Sequence, residues 1–209
     1  MTGAPVVRIE GVIVGGILKG VDLTVNRGVL MGLFGANGAG KTTLLRVIFG
    51  SVRPQKGRVV RPPRVGASWQ NPYMGFYRQS VWEEVLINVG GDAGRAERVL
   101  ERAGLREKKN SSPFSLSVGQ ARVLSIILAS SWGPELLLVD EPTTGLDPVE
   151  KRRVGSLLRS IEATVIVASH DVGFLLDYAD EVAVLEGGRI SWKGAPSHGL
   201  EQGVLPPWG

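Results

Sequence analysis

The sequence predicts an α/β fold: a mostly parallel sheet core, an antiparallel β layer on its N-terminal side, and a helical lobe inserted into the core. Three observations lead there. Strand-like and helix-like segments alternate over most of the 209 residues. A glycine-rich loop ending near Gly40 joins an apolar strand to a helix. From about Tyr73 to Trp132 the chain turns helical throughout, and the alternation then resumes. With 43% hydrophobic residues the chain can bury a substantial core, and residues 1–209 read as a single domain whose helical lobe covers about 73–132.

In chain order, the first part is β-rich. Residues 6–9 and 21–25 are short extended runs suited to the antiparallel layer, and Val29-Leu30-Met31-Gly32-Leu33-Phe34 is a continuous apolar run, the pattern of a strand buried on both faces. After the glycine loop, residues 44–49 give the apolar face of a helix. Residues 58–60 and 65–69 are further strands, separated by the stiff Pro62-Pro63. In the lobe, residues 81–89 and Ala93–Ala103 carry apolar side chains at helical spacing, with Ser80 and Asp92 as N-caps. Residues 117–131 form a third helix with Ala121, Leu124, Ile127 and Leu128 on one face. Strand 136–139, helix 148–160, strand 164–168, helix 172–177 and strand 182–185 complete the alternation.

Composition narrows the class. No apolar run approaches the roughly 18 residues of a membrane span, and no basic region followed by an apolar stretch marks the N-terminus for secretion. The chain has no cysteine, which excludes disulfides and thiolate metal sites. The cytoplasm is the expected compartment. The formal charge of +4 and pI near 9.6 are mildly basic. Lysines and arginines come in short groups at 106–109 and 151–153 with acids interspersed, as on solvated helix faces, so no nucleic-acid partner is expected.

The chemistry concentrates in G-A-N-G-A-G-K-T-T, residues 35–43. Strand, glycine loop and helix are the setting of a phosphate-binding P-loop. Gly35, Ala36, Asn37, Gly38, Ala39 and Gly40 supply a loop whose N–H groups turn inward on a polyphosphate. Lys41 brings positive charge to the β/γ-phosphates, the Thr42 hydroxyl is a Mg²⁺ ligand, and Thr43 meets phosphate at the positive end of the helix. Further on, Leu136-Leu137-Leu138-Val139-Asp140-Glu141 is an apolar strand ending in two carboxylates. An acid at the C-terminal end of a parallel strand stands where ligands bind, so Asp140 is the expected Mg²⁺ partner of the P-loop, and Glu141 can orient and deprotonate an attacking water.

These residues and the further landmarks that follow, in this order, resemble the ATP-binding-cassette (ABC) ATPases. Gln70 ends a strand and matches the Q-loop glutamine; Leu116-Ser117-Val118-Gly119-Gln120 resembles the signature L-S-G-G-Q; Glu141-Pro142-Thr143-Thr144-Gly145-Leu146-Asp147 runs from the catalytic glutamate through the D-loop; His170 matches the switch histidine. Each alone has a plain reading, as a turn residue, an N-cap or a surface histidine. Order and context invert that.

The resemblance implies a P-loop NTPase of ABC ATPase type, with ATP and Mg²⁺ as cofactors. Two such subunits, identical or related, sandwich two ATP molecules, each on the P-loop of one copy and under the signature helix of the other. Ser117, Val118, Gly119 and Gln120 would then act in trans and Asp147 would lie at the dimer interface. Lys41, Glu141 and His170 would be catalytic, with Mg²⁺ held by Thr42, Gln70 and Asp140. Without a membrane span of its own, the chain would work with integral membrane transporter subunits on the inner face of the cell membrane. The strings Gln70-Asn71-Pro72 and Ser112-Pro113-Phe114-Ser115 look like ATPases of energy-coupling-factor (ECF) transporters, importers of vitamins or metal ions. The alternatives are a soluble ABC ATPase without a transport role and a weakly hydrolysing regulatory module. Two departures bear on the latter. Val118 stands where the family has glycine, which is expected to restrict the backbone and crowd the phosphate. No aromatic residue precedes Phe34 to stack on adenine; Val14 falls near the expected position, so weak base selectivity is expected.

Overall fold

A computed structural model describes residues 5–206; residues 1–4 and 207–209 of the expected domain lie outside the described residues. The chain runs β1 (Pro5–Val14), β2 (Leu18–Asn26), β3 (Leu30–Phe34), α1 (Lys41–Phe49), β4 (Lys56–Val60) and β5 (Val65–Ser68). The helical lobe follows with α2 (Val81–Asn88), α3 (Ala93–Ala103) and α4 (Val118–Ser130). Then come β6 (Leu136–Asp140), α5 (Pro148–Arg159), β7 (Thr164–Ser169), α6 (Val172–Tyr178), β8 (Glu181–Glu186), β9 (Arg189–Gly194) and α7 (Pro196–Glu201).

Two sheets form. The antiparallel one has the order β2-β1-β4, and the larger one the order β5-β6-β7-β3-β8-β9, parallel except for the edge pair β8–β9. The alternation of side chains along a strand sets the two cores. On β6, Leu136 and Leu138 join the antiparallel sheet and the α1 residues Leu44, Leu45 and Ile48 in one core. Leu137 and Val139 face the other way, onto Leu124 and Ile127 of α4 and Val154 and Leu158 of α5. Burial on both faces explains why β6 and β7 read as unbroken apolar runs.

Most expected elements stand within a residue or two of their expected bounds. Ser80 and Asp92 cap α2 and α3, accepting from Glu83 N–H and Arg95 N–H. β1 and β2 run several residues longer than the expected 6–9 and 21–25, and helix α7 lies beyond the expected elements. The strand expected at 58–60 joins the antiparallel layer: it pairs with β1, and an Arg58–Glu10 ion pair at 2.9 Å bridges the facing positions. The strand expected through Gln70 ends at Ser68, because Arg122 draws the carbonyls of Trp69 and Gln70 away from the ladder. The hairpin strand β9 lies beyond the expected elements; the Gly187-Gly188 turn, with positive φ at both residues, is its signal.

Candidate active site

Strand order determines which residues meet. β3 lies between β7 and β8, and β6 lies beyond β7, so the loops leaving the C-terminal ends of β3, β6 and β7 converge. The glycine loop leaves β3 and enters α1 through Gly40, whose φ of 103° is left-handed. At Gly35 a Cβ would stand 2.6 Å from the carbonyl oxygen of Leu185, so only glycine lets the loop pass the sheet there. Residues 36–40 complete the loop and place Lys41, Thr42 and Thr43 on the first turn of α1, at the positive end of its dipole.

Lys41 is buried, and its ammonium has three acceptors: the carbonyls of Gly35 at 2.7 Å and Ala36 at 3.3 Å, and Glu141 Oε1 at 3.0 Å. The other oxygen of Glu141 meets His170 Nδ1 at 2.8 Å. Three residues far apart in sequence, Lys41, Glu141 and His170, thus form one chain of contacts. Glu141 is the one described non-glycine residue with positive φ, at 47°, immediately past β6. Such a backbone costs on the order of 1–3 kcal/mol and persists where the surroundings hold it; here its N–H donates to Ala168 O at 2.8 Å.

Beside this chain, the Thr42 hydroxyl donates to Asp140 Oδ2 at 2.8 Å, while Asp140 Oδ1 is buried without a hydrogen-bond partner among the described residues. Burial pushes the Asp140 carboxyl above its usual range, and the charge of Glu141 adds to this, against the opposing hydrogen bond from Thr42. An orphaned carboxylate oxygen next to a hydroxyl fits a Mg²⁺ ion. No group of three or more His, Cys, Asp or Glu side chains that could hold a metal ion exists among the described residues, so such an ion would complete its shell with neutral side-chain oxygens, phosphate and water.

Among the described residues no hydrogen bond or ion pair joins the signature-like segment 116–120 to this cluster. Ser117 caps α4 in a reciprocal box: its hydroxyl accepts from Gln120 N–H at 3.2 Å, and the Gln120 side chain accepts from Ser117 N–H at 3.1 Å. Val118 is the first residue of α4 and 47% exposed; the backbone strain expected of it is absent, because its φ is not positive and a helical first turn admits a branched side chain. A Cβ on Gly119 would collide with the Glu150 carboxylate of α5, which lies against this helix start. Asp147 caps α5, accepting from the N–H groups of Val149 and Glu150. Gln70 is exposed, just past β5, and is tied to α4 through its backbone by Arg122.

Several contributing residues lie outside the sequence motifs. Arg122 is 2% exposed and donates to Trp69 O at 2.7 Å and Gln70 O at 2.6 Å. Asp171 caps α6 just after His170 and pairs with Lys151 at 2.6 Å. Ile17, 46% exposed in the turn before β2, has its Cγ2 3.0 Å from where a Cβ on Gly40 would stand, while Val14 is half-buried against the core. An apolar residue in a glycine turn was the available sign of Ile17.

A phosphate loop facing an acid-tipped central strand defines a nucleoside-triphosphatase of the P-loop class. The ABC transporter family model matches residues 18–144. The chain belongs to that family, as an ATP-binding and ATP-hydrolysing subunit. It is 33% identical to the energy-coupling factor transporter ATP-binding protein EcfA of Methanocaldococcus jannaschii, over 86% of this chain and 74% of that one. Identity to EcfA2 of Symbiobacterium thermophilum is 34%, over 86% and 71%. Among solved structures, cbiO1 of Clostridium perfringens, described as part of the ABC transporter complex cbiONQ, superposes with a TM-score of 0.85 at 26% identity, covering 95% of this chain and 92% of that one. No helix among the described residues is long and apolar enough to cross a membrane.

Proposed function

We propose that the chain powers an importer of the energy-coupling-factor type, for a vitamin or metal ion, by ATP-driven closure of a dimer of such subunits. The contact chain Lys41–Glu141–His170 carries the hydrolytic part of this reading, and the 33% and 34% identity to EcfA and EcfA2 supports the transporter type. A triphosphate seated in the loop competes for the Lys41 ammonium, which releases Glu141 Oε1 to accept a proton from an attacking water. His170 keeps its contact with the other carboxylate oxygen and faces the γ-phosphate. Thr42 and Asp140, joined by Gln70 from the segment after β5, would hold a Mg²⁺ ion, which would offset charge developing on the phosphates.

Closure follows from what one chain lacks on its own. The Ser117 hydroxyl and the helix start behind it offer donors to a phosphate but belong to a segment separate from the chain's own loop, so they serve a partner's nucleotide. Asp147, on the segment leading from Glu141 to α5, then lies in the interface. An aromatic surface suits a membrane subunit: Met74, Tyr77 and Phe114 are exposed, and Phe114 stacks on Tyr73 at 6.3 Å between centroids while buried Phe76 meets both rings edge to face at 5.9 and 6.2 Å. The subunit accordingly sits at the inner face of the cell membrane.

The test is Glu141→Gln. The variant should bind ATP, turn over at least about 100-fold more slowly, and run as a dimer with Mg·ATP but as a monomer without it. Undiminished turnover, or a monomer under both conditions, refutes the mechanism.

A further inference from the structure

At the end of the large sheet opposite the phosphate loop, a cavity of about 960 Å³ is lined by five arginines and two glutamates. Arg95, Arg98 and Arg102 project from α3 at positions i, i+3 and i+7, along one face of that helix. Arg27 faces them from the turn before β3, and Arg64 from the residue before β5. The floor is apolar, made by Val99, Ile127, Leu157 and Ile161.

The charges within this ring are poorly matched. Glu135 serves both Arg27 and Arg64, each at 3.5 Å. Arg95 donates to the Ser131 carbonyl and Arg102 to the Ser160 hydroxyl, and Arg98 has no carboxylate partner among the described residues. A surplus of three positive charges around one cavity is self-repelling, and each guanidinium fork is shaped for a bidentate oxyanion. The volume lies within the about 300–1,000 Å³ range of small-molecule sites. A concave ring of forks over an apolar floor suits a compact polyanion with a ring system better than an extended acidic peptide.

We propose that this cavity binds an organic polyphosphate, with the phosphates on the arginine ring and the apolar body on the floor. The α3 arginines belong to the helical lobe that also carries Ser117, whereas Arg27, Arg64 and α5 belong to the sheet core. A bound polyphosphate therefore ties the lobe to the core and sets the approach of the signature helix to a partner.

Isothermal titration of inorganic tripolyphosphate and of ATP into the full chain carrying Lys41→Ala, which weakens the P-loop, tests this. Saturable binding is expected, weakened at least tenfold by adding Arg98→Glu with Arg102→Glu and less by the two arginine-to-lysine changes. Tighter binding of ATP than of tripolyphosphate is expected from the floor. With Lys41 intact, the doubly reversed variant should keep its P-loop affinity for Mg·ATP, which separates this site from the catalytic one and confirms folding. No saturable binding, or affinity indifferent to charge reversal, overturns the proposal. Equal affinity for tripolyphosphate and ATP overturns its organic component, and capture of oligoglutamate without tripolyphosphate overturns the ligand class.

Discussion

Replacing Arg122 by methionine would uncouple the signature helix from the segment after β5. The guanidinium is buried on α4 and donates to two successive carbonyls, Trp69 O at 2.7 Å and Gln70 O at 2.6 Å. Hydrogen bonds from a charged donor are worth about 1.5–3 kcal/mol each, so about 3–6 kcal/mol is lost in gross terms. Part returns. Burial holds the guanidinium pKa below its ordinary value despite the nearby Asp140 and Glu141 charges, and its Nε has no partner, so an apolar side chain of similar length relieves a desolvation cost. The net loss comes to about 2–4 kcal/mol, or a fall in Tm of about 5–15 °C for a chain of this size. Thermal and urea unfolding measure it. ATPase turnover should fall with it, because Gln70 and Ser117 no longer hold a common reference. A stability change under about 0.5 kcal/mol, the level of an ordinary surface substitution, would refute the reasoning.

Further consequences concern the site itself. If the start of α4 meets a partner's phosphate as proposed, Val118→Gly should raise ATPase activity by removing an exposed branched side chain from it; equal or lower activity argues against crowding. Affinities for ATP and GTP should be similar, and Ile17→Tyr should tighten nucleotide binding by about 1–3 kcal/mol through stacking, checked by titrating both nucleotides. Asp171→Ala removes the α6 cap and the Lys151 pair, at about 0.5–2 kcal/mol for the cap. Burial pushes the Asp171 carboxyl up, but Lys151, the Phe174 N–H and Thr143 outweigh it and hold it below the ordinary range. The stabilisation is therefore full above the unfolded value of about 3.9 and is lost as pH falls through the lower folded value. The stability gap between wild type and variant should narrow in that acid window and stay constant at neutral pH.

By itself the sequence determined whatever is written in contiguous residues. Residues 35–43 carry their loop, ligands and helix start together, and the apolar runs of β3, β6 and β7 announce strands covered on both faces. Tertiary structure decided what depends on distant segments meeting. The order β6-β7-β3 brings Glu141 between Lys41 and His170, and makes it the strained residue there. Arg122 reads as one more arginine on a helix, and Arg27, Arg64 and the α3 arginines as solvated charges, until the lobe folds onto the core. A β4 with mostly exposed side chains has no burial pattern to reveal its partner, so only its hydrogen bonds to β1 assign it to a sheet. Local chemistry needs only neighbours along the chain, whereas burial and charge pairing are properties of neighbours in space.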